Sequence, residues 1–153
     1  MANIDNRKFD IGLETIITAS VFKIAGQKSL KDFGCDNITH EQLGILFLLS
    51  LTDGLYQTQI ANILGKDRPN ITRMLDVLEA NSFIKRVKDE NNRRILKVFL
   101  TQKGRNEVDR LKSLKDRMCA TQYKDFSDEE IETFIYLMRK VRKNIIDEYD
   151  LKM

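Results

Sequence analysis

A single proline, Pro69, stands in a chain of 153 residues, and only seven glycines accompany it. Little in such a sequence interrupts a helix, whereas an all-β chain needs turn-formers every few residues. The chain therefore reads as long helices. Its length suits one domain of ordinary size, or one domain with an oligomerisation extension. Hydrophobic residues make up 42% and charged residues 32%, which supplies a core and argues against a disordered composition. No apolar run approaches the ~20 residues of a membrane helix. The best one, ILFLLSL at 45–51, reads as a buried helix. The opening stretch MANIDNRKFDIG mixes both charge signs and has no apolar signal core, so a soluble, cytoplasmic protein is expected.

Apolar positions Phe9, Leu13, Ile16, Ile17, Val21, Ile24, Ala25 and Leu30 recur mostly at spacings of three, four and seven, which predicts an amphipathic helix over 5–33. Ile11 and Phe22 widen its stripe, as if the helix met two surfaces. Residues 34–37 break it. Thr39 and Gln42 form a capping box for a buried helix that ends near Leu51, and Thr52-Asp53-Gly54 is a turn. A short helix at 58–64, a turn at Gly65-Lys66-Asp67 and a helix from Arg68 to about Asn81 follow. Asp67 caps this helix, and Pro69 lies in its first turn, where a missing N–H costs nothing. Ile71, Met74, Leu75 and Leu78 form its inner face.

The period changes at 83–101. Segments 83–88 and 95–100 are β-branched, aromatic and roughly alternating, and a polar tip at 89–94 joins them. This hairpin is the only β structure expected. Thr101 caps a helix carrying Val108, Leu111, Leu114 and Met118, with Gln122 at its end. A capping box at 127–130 opens a last helix with Ile131, Phe134, Ile135, Met138, Val141, Ile145, Ile146 and Tyr149 at spacings of three and four. The surplus apolar surface at both chain ends predicts that the ends pack together across a dimer. The expected fold class is mostly α with a small β-hairpin wing (α+β). It divides into an N-terminal dimerisation helix at 1–35, a winged helix-turn-helix lobe at 36–101 and C-terminal dimerisation helices at 102–153.

Charge follows the same division. Residues 57–101 carry a net +4, against −2 for 1–56 and +1 for 102–153, so the excess of +3 arises in the middle. A basic segment between balanced ones suits a polyanion. Within it, Ala61 suits a close helix crossing, Gly65 a turn of positive φ, and Ile71 and Leu75 pin the second helix on the first. That second helix offers Arg68, Asn70, Thr72 and Arg73 to phosphates or major-groove base edges, with Lys66 in the turn before it. The wing tip offers Arg93 and Arg94 to a minor groove, with Lys85, Arg86, Lys88 and Lys97 along the hairpin near the phosphates.

Catalysis has no comparable constellation. GxSxG, GxxxxGK[ST] and GxGxxG are all missing, and His40 is the only histidine. Neither a metal nor a cofactor is expected, and the chain is not read as an enzyme. Cys35 and Cys119 are isolated and form no disulfide framework. Cys35 is read as incidental beside a helix end, Cys119 as core, and His40 as a solvated neighbour of a cap. Asp89 is read as a turn residue or an arginine's partner. Phe22, Phe33, Phe47, Tyr56 and Phe126 are read most simply as core. Two other functions stay open: a protein-interaction module on a winged-helix scaffold, and a thiol-oxidation-responsive regulator.

The stretch QIANILGKDRPNITRMLDVLEANSFIKRVKDENNRRILKVFLTQKG resembles the winged helix-turn-helix core of the MarR family of bacterial transcriptional regulators. Its most telling parts are NITRMLDVLEANSFIKR and the wing NNRRILKVFLTQKG, which ends in a family-like Leu-Thr and Gly. The helix order on both sides also fits, so the resemblance covers nearly the whole chain. It implies a homodimer through the terminal helices, bound to double-stranded, pseudo-palindromic operator DNA. It also implies a repressor released by a small aromatic effector held between the dimerisation helices and the winged lobe. The chain departs from the family in two places on the wing: Asn92 stands where an acid is common, and Glu90 where a proline is. Oxidation-sensing members carry a cysteine within the N-terminal helix, where this chain has Ile16 and Ile17.

Overall fold

The computed structural model describes residues 6–90, 92 and 95–151, so Arg93 and Arg94 lie outside the described residues. The order is α1 (Asn6–Asp32), α2 (His40–Leu51), β1 (Leu55–Tyr56), α3 (Gln57–Ile63), α4 (Arg68–Ala80), β2 (Ile84–Lys88), β3 (Leu96–Leu100), α5 (Gln102–Gln122) and α6 (Asp128–Tyr149). Four of the helices begin at the expected caps. Thr39 and Gln42 satisfy each other's backbone N–H groups at the start of α2. The Asp67 carboxylate accepts from the Asn70 N–H at 2.7 Å, and Thr101 accepts from the Gly104 N–H at 3.0 Å. Ser127 and Glu130 complete the box of α6. Each cap satisfies N–H groups that the helix itself leaves unpaired.

The sheet has one strand more than the pattern suggests. Its order is β1-β3-β2, all antiparallel, with Leu55 opposite Val98 and Ile84 opposite Leu100. The two residues of β1 are too few to show a period. Long-range contacts make the strand: Gly54, at φ +79°, donates its N–H to the Val98 carbonyl, and Asp53 accepts from the Leu100 N–H at 2.9 Å.

The core lies in the lobe. Ile45, Leu46 and Leu49 of α2 meet Ile60, Ile71, Leu75, Leu78 and Val98, and α5 adds Leu111 and Leu114, all essentially fully buried. Leu30 brings the end of α1 into this core. Gly104 explains the glycine that closes the wing sequence. A Cβ there would fall 1.9 Å from the Phe83 carbonyl oxygen, so α5 can lie against the start of β2 only without a side chain.

The ends of the chain are different. Ile11, Ile16, Val21 and Ile24 of α1 are exposed, and α6 buries no residue at all. Phe126 is 46% exposed rather than core; its ring packs edge-on against Tyr123 at the α5–α6 turn. Phe22, Phe33, Phe47 and Tyr56 are only half-buried. His40 is not solvated as expected. Its ring is half-buried against α1, where Gly26 leaves room for it, and a Cβ on Gly26 would sit 2.0 Å from His40 Cδ2. Cys35 is buried and Cys119 half-buried.

Candidate nucleic-acid interface

The turn between α3 and α4 is built as the sequence suggests. Gly65 adopts φ +59°, and the Gly65 and Lys66 N–H groups close on the Asn62 and Ala61 carbonyls. Ala61, Ile71 and Leu75 are buried at the helix crossing. With its inner face so anchored, α4 presents Arg68, Asn70 and Arg73 to solvent. Neither arginine carries an ion pair among the described residues, so both guanidinium groups keep their planar forks of donors for an external acceptor.

Two expected contributors are already engaged. Lys66 lies 2.7 Å from Glu41, which also meets Lys23 of α1 at 3.5 Å. The Lys66 hydrogen bond holds the Glu41 carboxyl below the usual carboxylate range. This ion pair joins the turn to the first turn of α2. Thr72 is half-buried, and its hydroxyl donates to the Arg68 carbonyl at 2.9 Å and accepts from Gln57 Nε2 at 2.6 Å.

The hairpin divides its charges in the same way. Lys85 and Lys88 are exposed. Arg86 is committed to Glu79 at 2.5 Å and Asp76 at 2.7 Å, which clamps β2 to α4. Lys97 lies 2.9 Å from Asp89 and 5.2 Å from the centre of the Tyr56 ring. Of the four hairpin cations expected near phosphates, Lys85 and Lys88 stand open, while Arg86 and Lys97 brace the fold.

Asp89 organises the base of the wing. It is 6% exposed, and its carboxylate accepts from the Tyr56 hydroxyl at 3.1 Å and the Asn92 N–H at 3.0 Å besides meeting Lys97. Its own N–H donates to the Ile95 carbonyl, which closes the hairpin. Tyr56 and Gln57 were not singled out for this region, since neither belongs to a periodic segment of the sequence. A cleft of about 430 Å³ runs between the helices and the wing, lined by Gln57, Thr58, Arg68, Ile95 and Leu96.

Among the described residues no group of three or more His, Cys, Asp or Glu side chains is placed to hold a metal ion. None of their helices is long and apolar enough to cross a membrane.

This arrangement has close parallels. The MarR family model matches residues 38–96. The HTH-type transcriptional regulator YybA of Bacillus subtilis is 31% identical over 109 residues, which span 71% of this chain and 73% of that relative. The MarR transcriptional regulator of Methanosarcina mazei Go1 superposes with a TM-score of 0.77 at 25% identity, over 88% of this chain and 97% of its own. A MarR family transcriptional regulator of Listeria monocytogenes, crystallised with a 26mer DNA, gives 0.76 at 25% identity, over 97% and 93%.

Proposed function

The chain belongs to the MarR family of transcriptional regulators, and from that premise we propose that it is a homodimeric, sequence-specific DNA-binding repressor released by a small aromatic ligand. The observation that carries the reading is the pairing of a capped, exposed α4 with a wing beside it. Arg68, Asn70 and Arg73 enter a major groove, Lys88 meets phosphate, and Arg93 and Arg94 reach the neighbouring minor groove. That a similar regulator was crystallised with DNA supports the DNA-binding part of this reading. The two-fold symmetry of a dimer makes the operator pseudo-palindromic.

The dimer contact is assigned to α1, α5 and α6. Phe134, Ile135, Met138, Val141 and Ile145 make an exposed apolar row on α6, and Ile11, Ile16, Val21 and Ile24 do so on α1. A single chain leaves these rows in water, where burial would stabilise by about 25 cal/mol per Å². An effector fits the groove of about 360 Å³ between α1 and α5, lined by Ala25, Ser29, Leu114, Met118 and Gln122 among others.

Selecting duplexes from a random pool, with mass measured in solution at micromolar protein, tests the proposal. The expected result is a dimer with one preferred, pseudo-palindromic site. Affinity should fall steeply with salt, by a log–log slope of about −0.9 per phosphate neutralised. A DNA-binding monomer near 17.9 kDa would remove the dimer. Equal affinity for selected and random duplexes would remove sequence-specific regulation.

A further inference from the structure

Thr72 is half-buried on α4, one turn beyond the exposed Arg68, and its hydroxyl is already occupied. Its single proton goes to the Arg68 carbonyl at 2.9 Å, so Oγ1 can only accept from the group 2.6 Å away on Gln57. That group is therefore the amide nitrogen, and the orientation of the Gln57 carboxamide follows. Oε1 is turned away from Thr72, has no hydrogen-bond partner among the described residues, and Nε2 keeps a second proton. The side chain belongs to the cleft that Gln57 shares with Arg68, Ile95 and Leu96, between the α3–α4 pair and the wing. A held carboxamide thus stands at the edge of the interface, with one acceptor and one donor unused.

We propose that Gln57 is a base-reading residue: held by Thr72, it pairs its free carboxamide edge with the N6 and N7 atoms of an adenine in the operator, while Thr72 contributes only its methyl group. Adenine alone presents an amino donor beside a ring-nitrogen acceptor in the major groove, and a glutamine amide matches that pair. Cytosine offers the donor without the acceptor, and guanine two acceptors. Thr72 is a positioning residue. Its hydrogen bond selects the amide orientation before DNA arrives, which lowers the entropy cost of reading. The inference rests on the reading of α4 and the wing as a DNA interface.

The test uses the full-length protein and its selected duplex, with each base pair of one half-site replaced in turn. Random-duplex affinity and salt slope are read alongside. Gln57→Ala is expected to lose about ten- to a hundredfold of discrimination at one A·T pair and to leave the other positions unchanged. At that adenine, 7-deazaadenine (no N7) and purine (no N6 amino group) should each weaken the wild type but not Gln57→Ala. Thr72→Val, nearly isosteric, should lose the same preference, and Thr72→Ser should keep it. If Gln57→Ala weakens selected and random duplexes equally, the side chain is a phosphate contact and the inference falls while the regulator reading stands. Unchanged base preferences in both Gln57→Ala and Thr72→Val also overturn it. A wild-type protein without any sequence preference overturns both.

Discussion

Asp89 and Tyr56 are joined by a hydrogen bond of 3.1 Å from the phenol to the carboxylate, and the same carboxylate oxygen lies 2.9 Å from the Lys97 ammonium. One buried acid thus ties β1 to the end of β2 and to β3, the central strand of the sheet. Truncating it strands a phenol and an ammonium in a half-buried site. Asp89→Ala should cost about 1–3 kcal/mol. Hydrogen exchange should locate the loss at the amides of β2 and β3, with α1 and α6 unaffected. Wing amides that exchange at wild-type rates would show that the brace is idle.

Gly104 is expected to tolerate no side chain. In Gly104→Ala the new methyl meets backbone rather than a movable side chain, so either α5 or β2 must shift. The expected loss is at or above the upper end of the ~1–3 kcal/mol typical of overpacking, read as a lowered midpoint in chemical denaturation. A midpoint equal to wild type would mean that the helix start relaxes freely.

The Gly26–His40 contact predicts a sign reversal. Gly26→Ala alone should destabilise, because the methyl collides with the imidazole. In a His40→Ala background it should stabilise by up to about 1 kcal/mol, the usual preference of a helix interior for alanine. Burial lowers the His40 pKa below its ordinary 6.5, with Glu41 opposing and Lys23 assisting. The neutral ring is the one that packs. Its contribution is therefore complete above about pH 6.5 and is lost as pH falls through the lower folded-state value. Melting curves across that window should show a slope that His40→Ala reduces.

Arg73 and Lys88 should fail in different ways. Arg73→Ala is expected to cost about 1–3 kcal/mol on the selected duplex and relax preference at one position. Lys88→Ala should weaken every duplex alike and reduce the salt slope by about one unit. Uniform weakening by Arg73→Ala would make that arginine a phosphate clamp.

Cys35 should be slow to react. The residue is 1% exposed, and burial followed by the charge of Glu107 pushes the thiol pKa up. The nucleophilic thiolate is therefore scarce at neutral pH. A disulfide reagent should modify Cys119, which is half-buried, before Cys35 in the native protein. DNA affinity should be unchanged in Cys35→Ser. Rapid native-state modification of Cys35, with loss of DNA binding, would favour oxidation as the signal.

Local rules settled a large part of this molecule before any contact was known. Thr39, Asp67, Thr101 and Ser127 cap the helices they were expected to cap. The change of period at 83–101 marks β2 and β3. Such features depend on residues within one turn or one strand, so they can be read from spacing alone. The placement of Arg68, Asn70 and Arg73 on one exposed helix follows from the same periodicity.

Tertiary structure decided how the polar groups are shared. Tyr56 and Asp89 are 33 residues apart, Gln57 and Thr72 are 15 apart, and Asp53 reaches the Leu100 backbone across 47. Arg86 and Lys97 count as basic residues in any tally of charge, yet acids in α4 and at the wing base occupy them. Phe126 is apolar and aromatic like a core residue, yet it stays 46% exposed, because its ring contact among the described residues is the edge of Tyr123. A hydrogen bond or ion pair forms only where two groups meet within a few ångströms, and that distance is set by how the helices cross. Periodicity assigns each residue to a face. Only the packing of one face on another determines which donors remain free for DNA.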